Sequence, residues 1–550
     1  MNTTMKNITK ILALSLVSFV ALTSCIKETF PLSNFATSEQ IAASASAMEA
    51  SVNGIPAKMS QGYLVYGEQV HETDMAFPQF MIAFTELLGD MYPLGSNSGY
   101  DWYRNYNTFD RAYGDNSYFA YLPWFTCYQF IKGANDVIGA VDLESESITP
   151  TVRALTGMAY AFRAFDYYML TVMYEPKENI YTDCSSVLGL TVPRVDENTS
   201  PEIGKNNPRM THDEVTAFMI SDLETAEACL KDYTPTTTLF PSLAVVYGIR
   251  AKVHMWDEDY ANAAKYARLA IDTFGGSPIT AAQWNDVNSG FNTVNQAWMW
   301  HINYAAEEMG NLCNFIGWMS GEADWGYASL TRPSIDKSLY DSIADDDFRK
   351  YSFLDPAKYD YYNYQTCRDK EYIEEAPACL ALKFRCLGGD WESYEVGGAV
   401  DLPVMRVEEM MLLEAEAVGM SQGVAQGVAL LNSFMQNYRQ PSYNCTATSQ
   451  REFQLEVLKQ ERIEFWGEGW GFPNAKRIRP GVMQNYEGTN APADIFKINC
   501  KDMKPNWNFV IPISEVQANQ ALEGNNNPDP TGTVKGPSPV GEYAPAPSAN

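Results

Sequence analysis

Two amphipathic stretches separated by three residues, Leu243–Trp256 and Tyr260–Phe274, constrain the architecture more than any other feature of the chain. Small residues recur along them, Ala244 and Ala251 in the first and Ala263, Ala264, Ala267 and Ala270 in the second, with Tyr247, Trp256, Tyr260 and Tyr266 between. A helical period of small and apolar residues gives each stretch one face that packs closely on a neighbour. A three-residue connection makes the two antiparallel. The same period continues on both sides. Residues 151–174 carry Ala154, Ala161, Arg163, Ala164, Tyr167, Tyr168 and Leu170, and residues 213–230 lead into the pair. Further upstream, 41–52 is alanine-rich, Phe80, Phe84, Leu87 and Leu88 mark a helix ending near Gly89, and Trp124, Tyr128, Ile131, Asn135 and Ile138 mark another. Downstream, 404–420, Val424–Tyr438 and 452–466 read as helices. The last opens on a capping box of Ser449 and Glu452 and places Leu455, Leu458, Arg462 and Phe465 on one face.

Successive hairpins with small residues at their crossings resemble tetratricopeptide arrays, although no clean repeat length emerges. The expected fold is therefore mainly α, a tetratricopeptide-like scaffold in a single domain over residues 39–523. Within it, 39–275 forms the N-terminal helical part, 276–400 a loop-rich insert and 401–523 a C-terminal helical part, followed by a flexible Asn-, Pro- and Gly-rich tail at 524–550. The insert loses the helical period. Trp284, Trp298, Trp300, Trp318, Trp325, Tyr327, Tyr359, Tyr361, Tyr362 and Tyr364 stand among glycines and asparagines, with short strands expected at 297–302 and 381–385. A second break, 91–118, holds Tyr92, Pro93, Tyr100, Trp102, Tyr103, Tyr106 and Tyr113 among Gly, Asn, Ser and Asp. Loops this long in a compact domain are functional or disordered, and the aromatic content argues against a spacer.

The N-terminus is a targeting segment. Lys6 and Lys10 precede an apolar run from Ile11 to Leu22, and Leu22-Thr23-Ser24-Cys25 closes it. A basic start, an apolar segment too short to span a bilayer and small residues at its end describe an export signal. Ending on Cys, it resembles a bacterial lipoprotein signal: 1–24 is removed, Cys25 is acylated and 25–38 is a lipidated tether. Lys27 and Glu28 resemble a surface-display tag. The net charge of −29 excludes a nucleic-acid partner and an electrostatic grip on anionic lipid. The nine cysteines after Cys25 show no C-x-x-C spacing, so no metal is expected, and Cys379 with Cys386 is either a local pair or two buried thiols. His71, His212, His254 and His301 form no H-E-x-x-H, and no P-loop, dinucleotide turn or nucleophile elbow is present. No catalytic residue and no cofactor follow from these patterns. Two stretches instead combine flat rings with polar groups, as recognition of a sugar requires: apolar C–H faces stack on aromatic rings while hydroxyls demand hydrogen-bonding partners. The first supplies Tyr92, Asn97, Tyr100, Trp102, Tyr103, Asn105 and Tyr106, the second Trp318, Glu322, Asp324 and Trp325. The same rings also suit packing of loops on the scaffold.

Several blocks, in order along the chain, resemble the SusD/RagB family of outer-membrane nutrient-binding lipoproteins. They are Arg163-Ala164-Phe165 with Tyr167-Tyr168; Arg250-Ala251-Lys252-Val253 followed by Asp259-Tyr260-x-x-Ala263; and Arg406-x-x-Glu409, Ala415-Glu416-Ala417 and Asn432. Arg462-x-Glu464-Phe465-x-x-Glu468-Gly469 follows, then Trp507-x-x-Val510-x-Pro512-x-x-Glu515 with Asn519 and Leu522. The chain departs from the pattern at Glu408 and Glu414, usually apolar or aromatic, and at Gly471 and Asn474, where Arg and Asp are common; Asn527-Pro528 closes later than usual. The resemblance implies a SusD-like helical scaffold with a loop-rich ligand face and short strands, without catalysis or cofactor. It implies an oligosaccharide or polysaccharide ligand, bound through Tyr92, Asn97, Tyr100, Trp102, Tyr103, Tyr106, Trp318, Asp324 and Trp325. It further implies delivery to a SusC-like TonB-dependent transporter, contacted through the helical side, and an outer-membrane location facing the exterior through lipidated Cys25. A peptide ligand, as in the RagB branch, and an outer-membrane glycoside hydrolase are the alternatives. The charges at Arg406, Glu409, Glu416 and Arg462 read as buried ion pairs joining helices.

Overall fold

The computed structural model describes residues 45–60, 64–65, 68–69, 76–94, 114–305, 314–325, 328–355, 357, 365–492 and 496–531. Its frame is a ribbon of helices: α1 (Ala45–Ser60), which packs on α3, α2 (Phe77–Leu88), α3 (Tyr118–Ile138), α4 (Pro150–Tyr174), α5 (His212–Leu230), α6 (Leu243–Trp256) and α7 (Tyr260–Phe274). Packing runs α3 on α4, α4 on α5, α5 on α6 and α6 on α7. The chain then leaves the ribbon over residues 275–406. It returns as α8 (Val407–Ser421), which lies directly on α7, with α9 (Val424–Tyr438), α10 (Gln450–Glu464) and α11 (Gly471–Ile478) after it. The insert thus interrupts the sequence of the stack and not the stack itself, and the architecture is the mainly α, tetratricopeptide-like scaffold expected.

Local chemistry fixes the helix ends. Ser117, Thr149, Ser242 and Asp259 each cap a helix with a side-chain oxygen, and α5 and α10 carry full capping boxes, Thr211 with Glu214 and Ser449 with Glu452. Every residue of α2 is buried, so it is a central helix. Two indoles fix its C-terminal end: Trp507 Nε1 donates to the Leu87 carbonyl in the last turn and Trp466 Nε1 to that of Asp90 just past the helix, both at 2.9 Å. A Cβ on Gly419 or Gly427 would fall 2.3 or 2.5 Å from the Phe453 ring, so the α8–α9–α10 corner closes only because both are glycine.

Strands occur as antiparallel pairs. β1 (Met91–Pro93) pairs with β5 (Pro333–Ile335), β2 (Leu190–Pro193) with β3 (Arg209–Thr211), and β4 (Trp298–Asn303) with β6 (Asp401–Arg406), which runs straight into α8. Several expectations are corrected here. The stretch 91–118 opens on a strand and its last residue starts α3. Residues 381–385 form no strand; Leu380 and Ala381 make single bridges to Ser334 and Phe353. The insert holds short helices, Phe315–Met319, Lys337–Asp341 and Lys370–Glu375 among them. Leu455 is 39 % exposed, off the apolar face of α10, and that helix stops at Glu464 because Gly467 and Gly469 turn the chain at φ 76° and 82°.

One continuous apolar core runs from Met48 to Leu522. Ions reinforce it where the insert meets the frame. Arg349, Lys383, Arg406 and Arg439 face Asp347, Glu408, Glu464 and Glu468, four positive and four negative charges, none more than 2 % exposed. Glu464 accepts from Arg439 at 2.8 Å and from Arg406 and Arg349 at 3.1 Å; Glu468 accepts from Arg406 at 2.8 Å and Lys383 at 2.6 Å; Glu408 accepts from Arg439 at 3.0 Å. Burial alone would raise the Glu464 pKa, and the three guanidiniums hold it well below the usual carboxylate range. Burial lowers Lys383 to about 8. Matched charge, with Glu408 Oε2 held by the Arg406 ion pair at 3.1 Å, is what makes so many buried ions tolerable.

The other charges singled out in the sequence also join elements. Arg163 of α4 meets Asp222 of α5 at 2.8 Å, Lys252 of α6 meets Glu409 of α8 at 2.5 Å, Glu416 of α8 meets Arg477 of α11 at 2.5 Å, and Arg462 of α10 pairs with Asp90. At the departures, Glu408 enters the buried network, Glu414 pairs with Arg268 of α7, and the Asn474 amide donates to both oxygens of Glu461 at 2.8 and 2.9 Å.

Candidate functional site

Pairing of β1 with β5 brings the two ring-bearing stretches to one place. Tyr92 and Trp318 line a single niche together with Ile82, Glu86, Pro93 and Pro333. Its volume, about 10 Å³, suits a water molecule and not a sugar ring. The rings themselves are packed. Tyr92 is fully buried, its hydroxyl accepts from Gln484 Nε2 at 3.3 Å, its ring meets Phe496 edge-on, and burial pushes its pKa well up. Trp318 belongs to the short helix Phe315–Met319, buried at every residue, and Trp325 is buried with its Nε1 donating to Asn314 Oδ1 at 3.4 Å. These three rings, expected to contact ligand, thus pack inward, as the alternative of loops packed on the scaffold has it: strand pairing turns Tyr92, the buried helix turns Trp318, and Asn314 holds Trp325. Asp324 differs, its side chain being 50 % exposed. Asn97, Tyr100, Trp102, Tyr103 and Tyr106 lie outside the described residues, as does Cys25. The chain enters that first stretch at Leu94, whose N–H donates to the Arg332 carbonyl at 3.2 Å, beside β5.

Next to Asp324 the structure builds a ledge that the sequence reading missed. The Arg368 guanidinium lies between two half-buried rings, 3.7 Å from the Tyr372 centroid and 3.8 Å from that of Trp391. Its Nη2 is 3.8 Å from the Asp324 carboxylate and its Nη1 donates to the Glu322 carbonyl at 2.7 Å. The Asp324 N–H in turn donates to the Trp391 carbonyl at 2.9 Å. Glu322, fully buried, anchors the assembly from within: its carboxylate accepts from Thr366 Oγ1 at 2.6 Å, the Cys367 N–H at 3.0 Å and Arg385 at 2.8 Å. Two half-buried flat rings, a guanidinium stacked on them with its side chain 8 % exposed, and an exposed carboxylate thus lie side by side. Arg368 and Tyr372 are four residues apart around the start of the helix Lys370–Glu375, capped by Asp369, so reading that short helix would have paired them. Nothing local in the sequence points to Trp391.

Strongly displaced titrations belong to the scaffold. Burial, with Glu416 nearby, raises Glu461 to about 8. The hydrogen bond to Glu175 raises His212 to about 9, and Asp257 accepts at its other ring nitrogen at 2.8 Å. Among the described residues, His254, Asp257 and Asp259 bring donor atoms within 4.8 Å of one another at the α6–α7 turn. There Asp259 caps α7, Asp257 holds His212, and His254 stacks on Tyr266. Cys379 and Cys386 are both free and buried. No described helix is long and apolar enough to cross a membrane.

Comparison with known proteins agrees with this architecture. Residues 55–255 match the family model SusD-like_3, described as starch-binding associating with outer membrane. No curated protein matches the chain. A SusD-like carbohydrate binding protein from Bacteroides vulgatus ATCC 8482 superposes with a TM-score of 0.67 at 21% identity, covering 88% of this chain and 98% of that one. A SusD superfamily protein from Bacteroides thetaiotaomicron VPI-5482 gives 0.65 at 18%, covering 88% and 100%. Surface glycan-binding protein A from Bacteroides fluxus gives 0.61 at 14%, covering 88% and 99%. At these identities the solved structures establish the fold, and the likeness to the family model is confined to residues 55–255. Residues 55–255 are thus similar to the SusD-like family model, and the chain as a whole shares the fold of the solved SusD-like structures.

Proposed function

We propose that this protein is a lipid-anchored outer-membrane binder that holds a glycan on its loop-rich face and passes it, unaltered, to a SusC-like TonB-dependent transporter. The observation that carries the reading is the ledge of Trp391, Arg368 and Tyr372 beside the exposed Asp324. Planar rings and a stacked guanidinium provide the apolar and polar partners of a sugar, and Glu322 holds them in place from the core. Tyr100, Trp102, Tyr103, Tyr106 and Asn97, on the stretch that leaves β1 after Leu94, supply further contacts in this reading, with Tyr92, Trp318 and Trp325 as the floor beneath. The names of the structural neighbours, a carbohydrate binding protein and a surface glycan-binding protein, support the same ligand class. Acylated Cys25 and the tether to residue 38 moor a single domain, which runs past residue 523 because Asn527 is buried and donates to the Tyr174 and Phe509 carbonyls at 2.8 and 2.7 Å, and the helical ribbon contacts the transporter.

The test is a glycan and peptide array probed with protein lacking residues 1–25, beside the variants Trp391→Ala and Trp102→Ala. Glycan binding by the parent, weakened about tenfold in each variant, a loss of about 1.4 kcal/mol, is the expected result. Peptide binding alone identifies a RagB-like uptake protein, and release of shortened glycans identifies a hydrolase. Undiminished glycan binding by both variants overturns the assigned face.

A further inference from the structure

A second concavity, about 290 Å³ in volume, lies between α3 and the C-terminal segment and shares no lining residue with the ledge. That volume falls at the lower end of small-molecule sites, roughly 300–1,000 Å³. Helix α3 lines it with Tyr121, Trp124, Phe125 and Tyr128, spaced three, one and three apart, so one helix face gives its rings to a cleft. The rings are held: Trp124 sits 4.9 Å from Tyr128 and edge-on to Tyr174 at 5.0 Å, and the Tyr128 hydroxyl donates to the Pro193 carbonyl at 2.7 Å. Asn207 and Asn519, also in the lining, are tied to each other, the Asn207 N–H donating to Asn519 Oδ1 at 2.8 Å and Asn519 Nδ2 to the Asn207 carbonyl at 2.7 Å. The site is therefore preformed, and binding to it costs little ordering.

Glu515 completes the lining. It falls in the closing sequence block, and the ledge makes no use of it. Burial raises its pKa, against a hydrogen bond from Trp124. Among the described residues no lysine, arginine or histidine forms an ion pair with it, whereas Glu409, Glu416, Glu464 and Glu468 of the core each have a cation. A partly buried carboxylate beside aromatic faces favours a cationic partner, since ring faces and a carboxylate attract the same charge. We propose that this pocket is a second ligand site, separate from the ledge, for an organic cation: an ammonium group seated among the four α3 rings and paired with the Glu515 carboxylate. The net charge of −29 favours arrival of such a ligand. The ammonium can come from an amino sugar or from an amine on a body that is not a sugar.

Calorimetric titration of the full chain in detergent with glucosamine, n-butylammonium and glucose tests this. Glucosamine is expected to bind saturably with one site per chain, and glucose at least tenfold more weakly. Equal binding of n-butylammonium shows that the ammonium group suffices; failure of n-butylammonium alone assigns the site to amino sugars. Glu515→Gln is expected to weaken ammonium binding about tenfold, and Phe125→Ala, on the aromatic wall, provides an independent loss should the first variant fold poorly. Trp391→Ala is expected to leave it unchanged, which separates this site from the glycan face. Glucose binding as well as glucosamine, no saturable binding of either ammonium ligand, or full binding by both pocket variants overturns the proposal.

Discussion

Glu461 shows how far one buried side chain sets the pH response. It lies in the core with Glu416, Glu409, Arg477, Lys252 and Asn474 around it, and burial followed by the Glu416 charge raises it to about 8. An ordinary glutamate titrates near ~4.3, so between about 4.5 and 8 the folded chain keeps a proton that the unfolded chain has released. Stability must then fall as pH rises through that window, by at most ~1.4 kcal/mol per pH unit. Urea denaturation of Glu461→Gln at pH 5 and pH 8 should show this decline reduced, with the variant more stable than the parent at pH 8; an unchanged decline would mean that Glu461 titrates normally. His212 acts in the same direction. Its folded pKa, raised to about 9, gives stability that is complete below about 6.5 and lost as pH rises through 9. Glu464 opposes both from the acid side: depressed by its three guanidiniums, it contributes fully above the ordinary carboxylate range and fails as pH falls toward its folded value. None of these directions could be read from residue type, because each depends on partners distant in sequence.

At the level of elements, space decides which glycines matter. Gly427 lies where α9 crosses α8 and α10: an added Cβ would fall 2.5 Å from the Phe453 ring and 2.6 Å from the Gly419 Cα. Gly54, in α1, has nothing within 4 Å of the same position. Thermal unfolding should separate them. Gly427→Ala is expected to cost about 1–3 kcal/mol through overpacking despite alanine's better helix propensity, and Gly54→Ala to gain about 0.5–1 kcal/mol from that propensity. Equal shifts would mean that the α8–α9–α10 corner relaxes. Helices of this ribbon were legible because their signals are local. The ends of α6, α7 and α9 agree with the periodicity to the residue, and Ser242, Asp259 and Gly275 mark the first two of them. Apart from β4, expected at 297–302 and found at Trp298–Asn303, the insert was not legible, since its helices are about one turn long and β1 finds β5 only after the chain has passed through the whole N-terminal ribbon. An aromatic-rich stretch likewise does not disclose which way its rings turn. Tyr92 and Trp318 went inward, while Trp391, absent from every sequence pattern, joined the ledge.

Across the whole molecule the question is whether an insert so different in sequence behaves as a separate body. The core says otherwise in physical terms: the main apolar cluster holds residues of the ribbon, the insert and the C-terminal helices together. The buried ions add a second tie. Arg349 of the insert bonds Asp347 at 2.7 Å, Glu464 of α10 at 3.1 Å and Gln460 at 2.7 Å, and Lys383 reaches Glu468 together with the Glu464 and Trp466 carbonyls. Removing one cation from such a network leaves a carboxylate buried without its partner, at a cost of about 3–5 kcal/mol. If the insert and the ribbon unfold as one, Arg349→Met must lower a single calorimetric transition as a whole, with the loss appearing equally in hydrogen exchange at α10 and around Leu354, Ile373 and Leu382 in the insert's own small core. A transition that splits in two, the insert melting ahead of an undisturbed ribbon, would show that the apolar contacts across the joint are too weak to couple them. The ledge would then ride on a body able to open independently of the helical side.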